Sequence, residues 1–486
     1  MTTQFPPRSA RRLFQALPLA CAVLLAGCQS YEPIPLDLAA YEAGMTNRLL
    51  EDESLSAFAK RLAGDGFEPI VRFDVSDGIS PAEAEVIALF YNADLRMARL
   101  RAGVALADAE TAGLWEDPVL GFDGAELLSP AGPFEYGLTA RLTVPISGRL
   151  RVEEDRADTA YRAELRRVVD AEWSMRARVR EAWSVWSVAS DRLALIDEVI
   201  AAIDRIGVVS DRLQEAGELK RVETRLLSVE RLSIHVERAS RSAHADQARI
   251  DLLGLMGLLP TANAKLIATL PRVVMPEATD PTQRLITSNT SLAVLRADYQ
   301  VAEESLRLEV RKQYPDIQIG AGLGSEDNDD RLLLGASLPI PILNANRGGI
   351  AEARANRALA SAAAEAEFEH LLFEFAATRT RLAAAQQQLK VLEEELVPML
   401  DEQTAEIDRL AELGEVNTLI LLETVTRRFK AKNQILELHL EALRARIEIA
   451  RLLGPDAEPT PAPVSIDIPT ITTLNKRADT AQGVSP

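Results

Sequence analysis

Apolar residues recur along most of this chain at spacings of three, four and seven. Val179, Trp183, Trp186, Leu193, Ile196, Ile200 and Ile203 form one such stripe, and Phe368, Phe375, Leu382, Leu389, Leu392, Leu396 and Met399 form a second. This spacing places apolar side chains along one helix face and predicts two uninterrupted coiled-coil helices of about sixty residues each. At a rise of about 1.5 Å per residue, each reaches on the order of 95 Å if straight. Trp183 and Trp186 sit three apart within the first stripe, so they read as core rather than as a ligand surface.

A second period interrupts the helical one. From Phe134 to Val144 the residues alternate, with Phe134, Tyr136, Leu138, Ala140, Leu142 and Val144 on one face and Glu135, Gly137, Thr139, Arg141 and Thr143 on the other. That is the signature of a strand. Val119 to Leu128 supplies a hairpin partner across residues 129–133. Ile317 to Leu323 and Leu332 to Leu338 form a weaker second hairpin across Glu326 to Asp330. Strands of about ten residues suit a membrane barrel.

Both patterns occur twice because the chain is internally duplicated. Asn92 matches Asn289 and Pro118 matches Pro315 at an offset of 197, Val144-Pro145-Ile146 matches Ile340-Pro341-Ile342 at 196, Gly217 matches Gly414 at 197, and Leu252-Leu253-Gly254 matches Leu452-Leu453-Gly454 at 200. Each repeat opens on a capped helix of about thirty residues, at Ser80-Pro81 or Asp280-Pro281. That helix ends before Pro118 or Pro315, since proline disfavours helix in the residue preceding it. A hairpin, a polar turn and the long helix follow. The long helix stops at Gly217 or Gly414, and a return helix of about thirty-five residues runs to Gly254 or Gly454 as C-cap.

The N-terminus adds a targeting signal. Arg8, Arg11 and Arg12 precede an apolar run from Leu13 to Ala26 and the sequence Leu25-Ala26-Gly27-Cys28. The run is too short to span a bilayer and reads as a signal peptide with a lipobox, so Cys28 is expected to carry a covalent lipid. Gln29 follows where an Asp would commonly mark retention in the inner membrane, so delivery to the outer membrane is expected. The chain then divides into a signal peptide (1–27), a lipidated leader (28–79) with one helix in Asn47 to Leu62, a first repeat (80–259), a second repeat (260–455) and a flexible Pro/Thr-rich tail (456–486).

Composition narrows the class. Hydrophobic residues make up 47% of the 486, against 5% aromatic, which excludes a disordered chain and favours helix. The formal charge is −19, and becomes −22 once the three signal-peptide arginines are gone. That sign excludes a binder of nucleic-acid backbone. With Cys21 in the signal and Cys28 lipidated, no thiol is left for a disulfide or for catalysis.

Four strands cannot close a barrel alone, and only helices and closed barrels satisfy their backbone inside lipid. A membrane role therefore requires copies of the chain to meet edge to edge, and the alternative is a small soluble sheet. In the order and spacing of these parts the chain resembles the TolC-like outer-membrane efflux proteins, in particular their lipid-anchored branch. The resemblance covers roughly residues 80 to 455. It rests on the twofold repeat, on Val144-Pro145-Ile146-Ser147-Gly148-Arg149 and Ile340-Pro341-Ile342-Leu343, and on the breaks Glu215-Ala216-Gly217-Glu218-Leu219 and Glu412-Leu413-Gly414-Glu415-Val416.

The resemblance implies a mainly α fold with a membrane β-barrel. In a homotrimer, four strands from each protomer make a twelve-stranded barrel that is continued by an α-helical coiled-coil tunnel across the periplasm. It implies a passive channel of a tripartite efflux or type I secretion system, working with a periplasmic adaptor and an inner-membrane pump. Gly217, Glu218, Leu219, Gly414, Glu415 and Val416 become candidate adaptor-docking tips, although tight helix turns alone also call for glycine. Glu223 and Glu423 map onto acids of a periplasmic gate, and Ile420 stands where another family acid is expected, which implies a different or weaker constriction. An ordinary solvated helix face is the other reading of these acids.

Other chemistry finds no support. His235, His244, His370 and His439 lack metal-site spacing. Gly320, Gly322 and Gly324 lack the helix and the Lys-Ser or Lys-Thr of a phosphate loop and read as strand glycines in a barrel. No nucleophile motif is present, so neither an enzyme nor a cofactor beyond the lipid is expected. The competing function is a periplasmic coiled-coil scaffold or adaptor lipoprotein held only by its acyl chains.

Overall fold

The structure is a computed structural model that describes residues 31, 33–46, 48, 53–64, 73–126, 134–276, 279–326, 329–412 and 418–456. Cys28, part of the first hairpin loop, the second glycine tip at Gly414 to Val416 and the C-terminal tail lie outside the described residues. The leader carries two helices rather than the single one expected. The first, α1 (Leu38–Thr46), belongs to a separate unit formed by residues 1–47 and is capped by the Asp37 carboxylate, which accepts from the Ala40 amide at 2.9 Å. The second, α2 (Glu53–Gly64), buries Leu55 and Ala59 in the largest core cluster.

The first repeat contains α3 (Pro81–Tyr91), α4 (Ala93–Thr111), β1 (Val119–Ala125), β2 (Glu135–Val144), α5 (Arg149–Glu215) and α6 (Arg221–Leu255). The second contains α7 (Pro281–Ser288), α8 (Thr290–Arg311), β3 (Ile317–Glu326), β4 (Asp329–Ser337), α9 (Arg347–Val391), α10 (Val397–Glu412) and α11 (Thr418–Leu453). The four strands form one antiparallel sheet in the order β1-β2-β3-β4, so the two hairpins join through β2 and β3. No helix among the described residues is long and apolar enough to cross a membrane.

The opening helix of each repeat is broken in two, where one helix of about thirty residues was expected. The break falls on the duplicated asparagine. With ψ of 132° at Asn92 and 126° at Asn289, the backbone leaves the helix there, and each Oδ1 caps the following helix. It accepts from the Asp94 and Leu95 amides at 2.9 and 3.2 Å, or from the Leu292 amide at 2.8 Å. Each Nδ2 donates at 2.9 Å to a carbonyl at the end of the return helix, that of Leu255 or of Leu452. Both asparagines are buried, so these bonds satisfy groups that water cannot reach.

This tie corrects the alignment of the repeats. Leu255 and Leu452 are 197 apart, not 200, and the glycine equivalent to Gly454 is Gly257 rather than Gly254. Gly254 lies inside α6, whereas Gly257 and Gly454 have φ of +69° and +71°. A Cβ at Gly257 would stand 2.6 Å from the Tyr91 carbonyl oxygen, and one at Gly454 would overlap that of Ser288. Glycine is required twice over, for its left-handed backbone and for the close approach of the kinked helix.

The first long helix, α5, runs 67 residues without interruption. Its counterpart does not, since a π turn at Leu392–Leu396 separates α9 from α10. Before the turn the buried positions match at an offset of 196, as Met175 does with Leu371; after it they match at 197, as Ile203 does with Leu400. One extra residue in an α-helix would rotate everything beyond it by about 100°, and an i→i+5 turn absorbs it. The apolar stripe read through Leu396 and Met399 therefore fails at its end: Met399 is 67% exposed, while Leu400 is 7% exposed.

Packing of the upper helices is dense and carries the tryptophans. Trp183 and Trp186 are buried with ring centroids 5.3 Å apart, edge to face, and Trp183 Nε1 donates to the Thr269 carbonyl at 2.8 Å. A charged node stitches the two repeats together. Trp173 Nε1 on α5 donates to the Arg451 carbonyl at 3.0 Å, and Thr290 Oγ1 donates to Asp170 at 2.6 Å. Arg451 pairs with Glu448 at 2.5 Å and with Glu374 at 3.6 Å. Burial, reinforced by the neighbouring Glu448, pushes the Glu374 carboxyl above its usual range. Burial also acts against ionised Glu448, but the Arg451 guanidinium outweighs it and holds that carboxyl low.

Two outcomes follow from this packing. Asn289→Ala removes a cap and strands the Leu452 carbonyl, so the purified protein should lose about 2 to 3 kcal/mol in denaturant unfolding; unfolding like wild type would remove the tie from the account. A raised native pKa means that Glu374 supports the fold when protonated and that this support is lost as pH climbs through its native value. Glu374→Gln should therefore raise the melting temperature at pH 7.5, with the gain vanishing below about pH 4, where the wild-type group is protonated in both states. A pH-independent difference would contradict this.

Candidate functional site

The sheet has the polarity of a membrane wall rather than of a soluble layer. Register fixes the faces: Phe122, Leu138, Leu323 and Leu332 lie directly across from one another, as do Leu120, Ala140, Ala321 and Leu334. The first of these rows is 69, 52, 62 and 67% exposed in the single chain. Aligned apolar rows left open on all four strands are what lipid, not water, would cover. The opposite face carries Asp123, Thr139, Arg141, Gln318, Arg331 and most of the glycines, with Val119 and Leu333 the large apolar side chains on it.

Gly320, Gly322 and Gly324 fall on that polar face of β3. A Cβ at Gly322 would stand 2.6 Å from the Leu138 carbonyl oxygen and 2.8 Å from Thr139 Cγ2. These glycines let β2 and β3 approach with Thr139 and Arg141 folded across them, and they are not a phosphate loop. Both outer strands keep a free edge among the described residues, because β1 and β4 each pair on one side only.

The strand-to-helix junction is pinned by charge. The Ser147 amide donates to Asp316 Oδ1 at 3.0 Å, and Arg149 reaches Glu116 at 3.2 Å, Glu153 at 3.3 Å and Asp316 at 3.5 Å. In the second repeat, Ala345 and Asn346 turn the chain with φ of 47° and 51°, and Asn346 Nδ2 donates to the Glu309 carbonyl at 2.8 Å. Of these groups, Glu153, Glu309 and Asp316 had not been singled out by the residue pattern. The signal for them is the polar cluster beside each proline-containing exit.

At the far end of α5 the chain turns on Gly217, with φ of +81°. The Glu218 and Leu219 amides both donate back to the Leu213 carbonyl, at 2.9 and 3.2 Å, closing the helix end. Gly217 and Glu218 are exposed, Leu219 is half-buried, and space around Gly217 is open, so its requirement is conformational alone. Glu223 has a local use: its carboxylate accepts from the Lys220 amide at 3.0 Å and caps α6. Glu423 is exposed and pairs with Arg427 at 2.6 Å, one turn along the same helix, and Ile420 is exposed nearby.

Interhelical pairs lace this half together, among them Arg192 with Glu437 at 3.0 Å, Arg231 with Asp204 at 2.7 Å and Arg428 with Asp401 at 2.8 Å. Along α6, Val222, Leu226, Val229, Leu232 and Val236 form an exposed seam at spacings of three and four. His439 pairs with Glu393 at 2.9 Å, and the described residues contain no cluster fit to hold a metal.

Residues 282–455 match the family described as Outer membrane efflux protein. The chain is 23% identical over 326 residues to the cobalt-zinc-cadmium resistance protein CzcC of Cupriavidus metallidurans, covering 65% of this chain and 77% of that one. Among solved structures it is similar to CusC, with a TM-score of 0.65, 18% identity and coverage of 79% and 94%, a structure describing folding and transmembrane channel formation. It is also similar to the open state of the MtrE outer membrane channel of Neisseria gonorrhoeae, with a TM-score of 0.65, 17% identity and coverage of 76% and 88%.

The two acids near the tip are separable by experiment. Glu423→Gln breaks only an exposed helical pair worth a few tenths of a kcal/mol, so stability should not change measurably. Glu223→Gln weakens a cap and should loosen the start of α6, read as faster amide exchange at residues 221–225. Equal effects of the two on exchange would undo the distinction.

Proposed function

We propose that this chain, which has the fold of the TolC-like outer-membrane efflux proteins, is the outer-membrane channel of a tripartite efflux or type I secretion system. The observation that carries the proposal is the sheet: aligned apolar rows on one face, small and charged residues on the other, and a free edge on β1 and on β4. In lipid, unpaired backbone groups cost several kcal/mol each, so β4 of one copy must pair with β1 of the next. Three copies supply twelve strands, and the helices continue the barrel as a periplasmic tunnel. The exposed seam on α6 is the face that a neighbouring copy's helix would cover.

Within that assembly the exposed turn at Gly217 to Leu219 is the candidate docking tip for a periplasmic adaptor, which links the channel to an inner-membrane pump, and Gly414 to Val416, outside the described residues, are its counterpart in the sequence. Glu223, Glu423 and Ile420 stand close to that end and are the candidate constriction. The protein performs no chemistry; it conducts what the pump delivers. Cys28 adds a lipid tether to a body that the barrel already holds in the membrane. The scaffold reading does not account for a sheet with an apolar row on every strand.

Purification of the mature protein in detergent, followed by cross-linking and single-channel recording in a planar bilayer, tests the proposal. Trimers should appear, conductance should rise when Glu223 and Glu423 are neutralised together, and the intact mass should include acyl chains on Cys28. A monomer without conductance in either form would defeat the channel, and an unmodified Cys28 would remove the tether alone.

A further inference from the structure

Resting on the channel reading, the structure assigns a role to one residue that the assembly alone does not explain. Arg141 lies on the polar face of β2, three residues before the strand ends and eight before α5 begins. Its neighbours across the sheet are Val119 and Gly320, and Gly320 is paired in turn with Gly335. The side chain runs over Gly320 and toward Gly121, which stands diagonally across on β1. Its Cγ lies 3.1 Å from where a Cβ of Gly320 would be, and Nη2 lies 3.8 Å from where a Cβ of Gly121 would be. Among the described residues, Arg141 has no ion-pair or hydrogen-bond partner.

The other charges on that face are placed differently. Arg331 is paired with Glu326, Asp123 stands opposite Gly137 four residues along the strands from Arg141, and Glu135, Glu326 and Asp329 lie toward the hairpin ends of their strands. Arg141 is therefore the unpaired cation of the polar face, at the end nearer the helices. An arginine there is not explained by an ion pair, nor by lipid contact, since the aligned apolar rows occupy the other face.

We infer that three copies of Arg141 form a cationic ring on the lumen wall where the helical tunnel opens into the barrel. The ring concentrates small anions and the carboxylate or phosphate groups of cargo, and it opposes cations, inside a protein whose net charge is strongly negative. It is a selectivity element distinct from the acids near the periplasmic tip. Because the charges sit in a wide, wet lumen, the effect is screened by salt.

Reversal potentials of single channels under a potassium chloride gradient test this, with Arg141→Gln, Arg141→Glu and the wild type compared. The chloride-to-potassium permeability ratio should fall about twofold or more in Arg141→Glu at ~0.1 M salt, less in Arg141→Gln, and the differences should shrink near ~1 M, where the screening length drops to about 3 Å. In assembled trimers, Arg141→Cys should react with a charged, membrane-impermeant thiol reagent. Conducting trimers whose ion selectivity is unchanged by Arg141→Glu, or whose Arg141→Cys is unreactive, would overturn the ring and leave the channel standing. A wild-type chain that forms neither trimers nor a conductance would overturn both.

Discussion

Everything above the helices depends on where the backbone hydrogen bonds of β1 and β4 go. A sheet of four strands leaves two rows of amide and carbonyl groups without partners, and its apolar rows bar the usual remedy of exposing those edges to water. Curvature and self-association would answer both demands together. The duplicated arrangement then serves a geometric end, since each hairpin is delivered by a helix that arrives at the sheet and another that leaves it. The clasp of Arg149, Asp316 and the Ser147 amide fixes the direction in which the long helix departs.

Much of this was legible in the amino-acid pattern, because periods of two and of three to four leave strong marks over long stretches. The alternation from Phe134 to Val144 fixed the faces of the sheet, and the stripe around Trp183 and Trp186 marked the core. What escaped was punctuation. Asn92 and Asn289 were visible as a matched pair, yet an asparagine within a helical pattern gives no sign that its amide will bridge 163 residues to a distant carbonyl. Gly254 attracted the alignment because Leu-Leu-Gly is a compelling triplet, while Gly257 meets the conformational need.

The candidate tip shows a different limit. Gly217 was readable as a helix stop, and it is one. The role of Glu223 was not, because a glutamate three residues into a helix is equally a cap and an acid on a surface, and only the geometry at the Lys220 amide reveals the first. The step in the repeat offset from 196 to 197 was also present in the landmarks, but a one-residue slip within sixty residues of helix carries no local residue signal.

That slip has a consequence for symmetry. Two similar coiled-coil hairpins per chain, repeated three times, would give a tunnel with six nearly equivalent hairpin ends. The π turn at Leu392–Leu396 has no counterpart in α5, so in such a tunnel the helical walls would alternate in kind around the axis and the sixfold appearance would reduce to threefold. A partner lying along the wall at the level of that turn would meet two classes of helix face. Six copies of one adaptor would have to tolerate both, whereas three would be free to choose one.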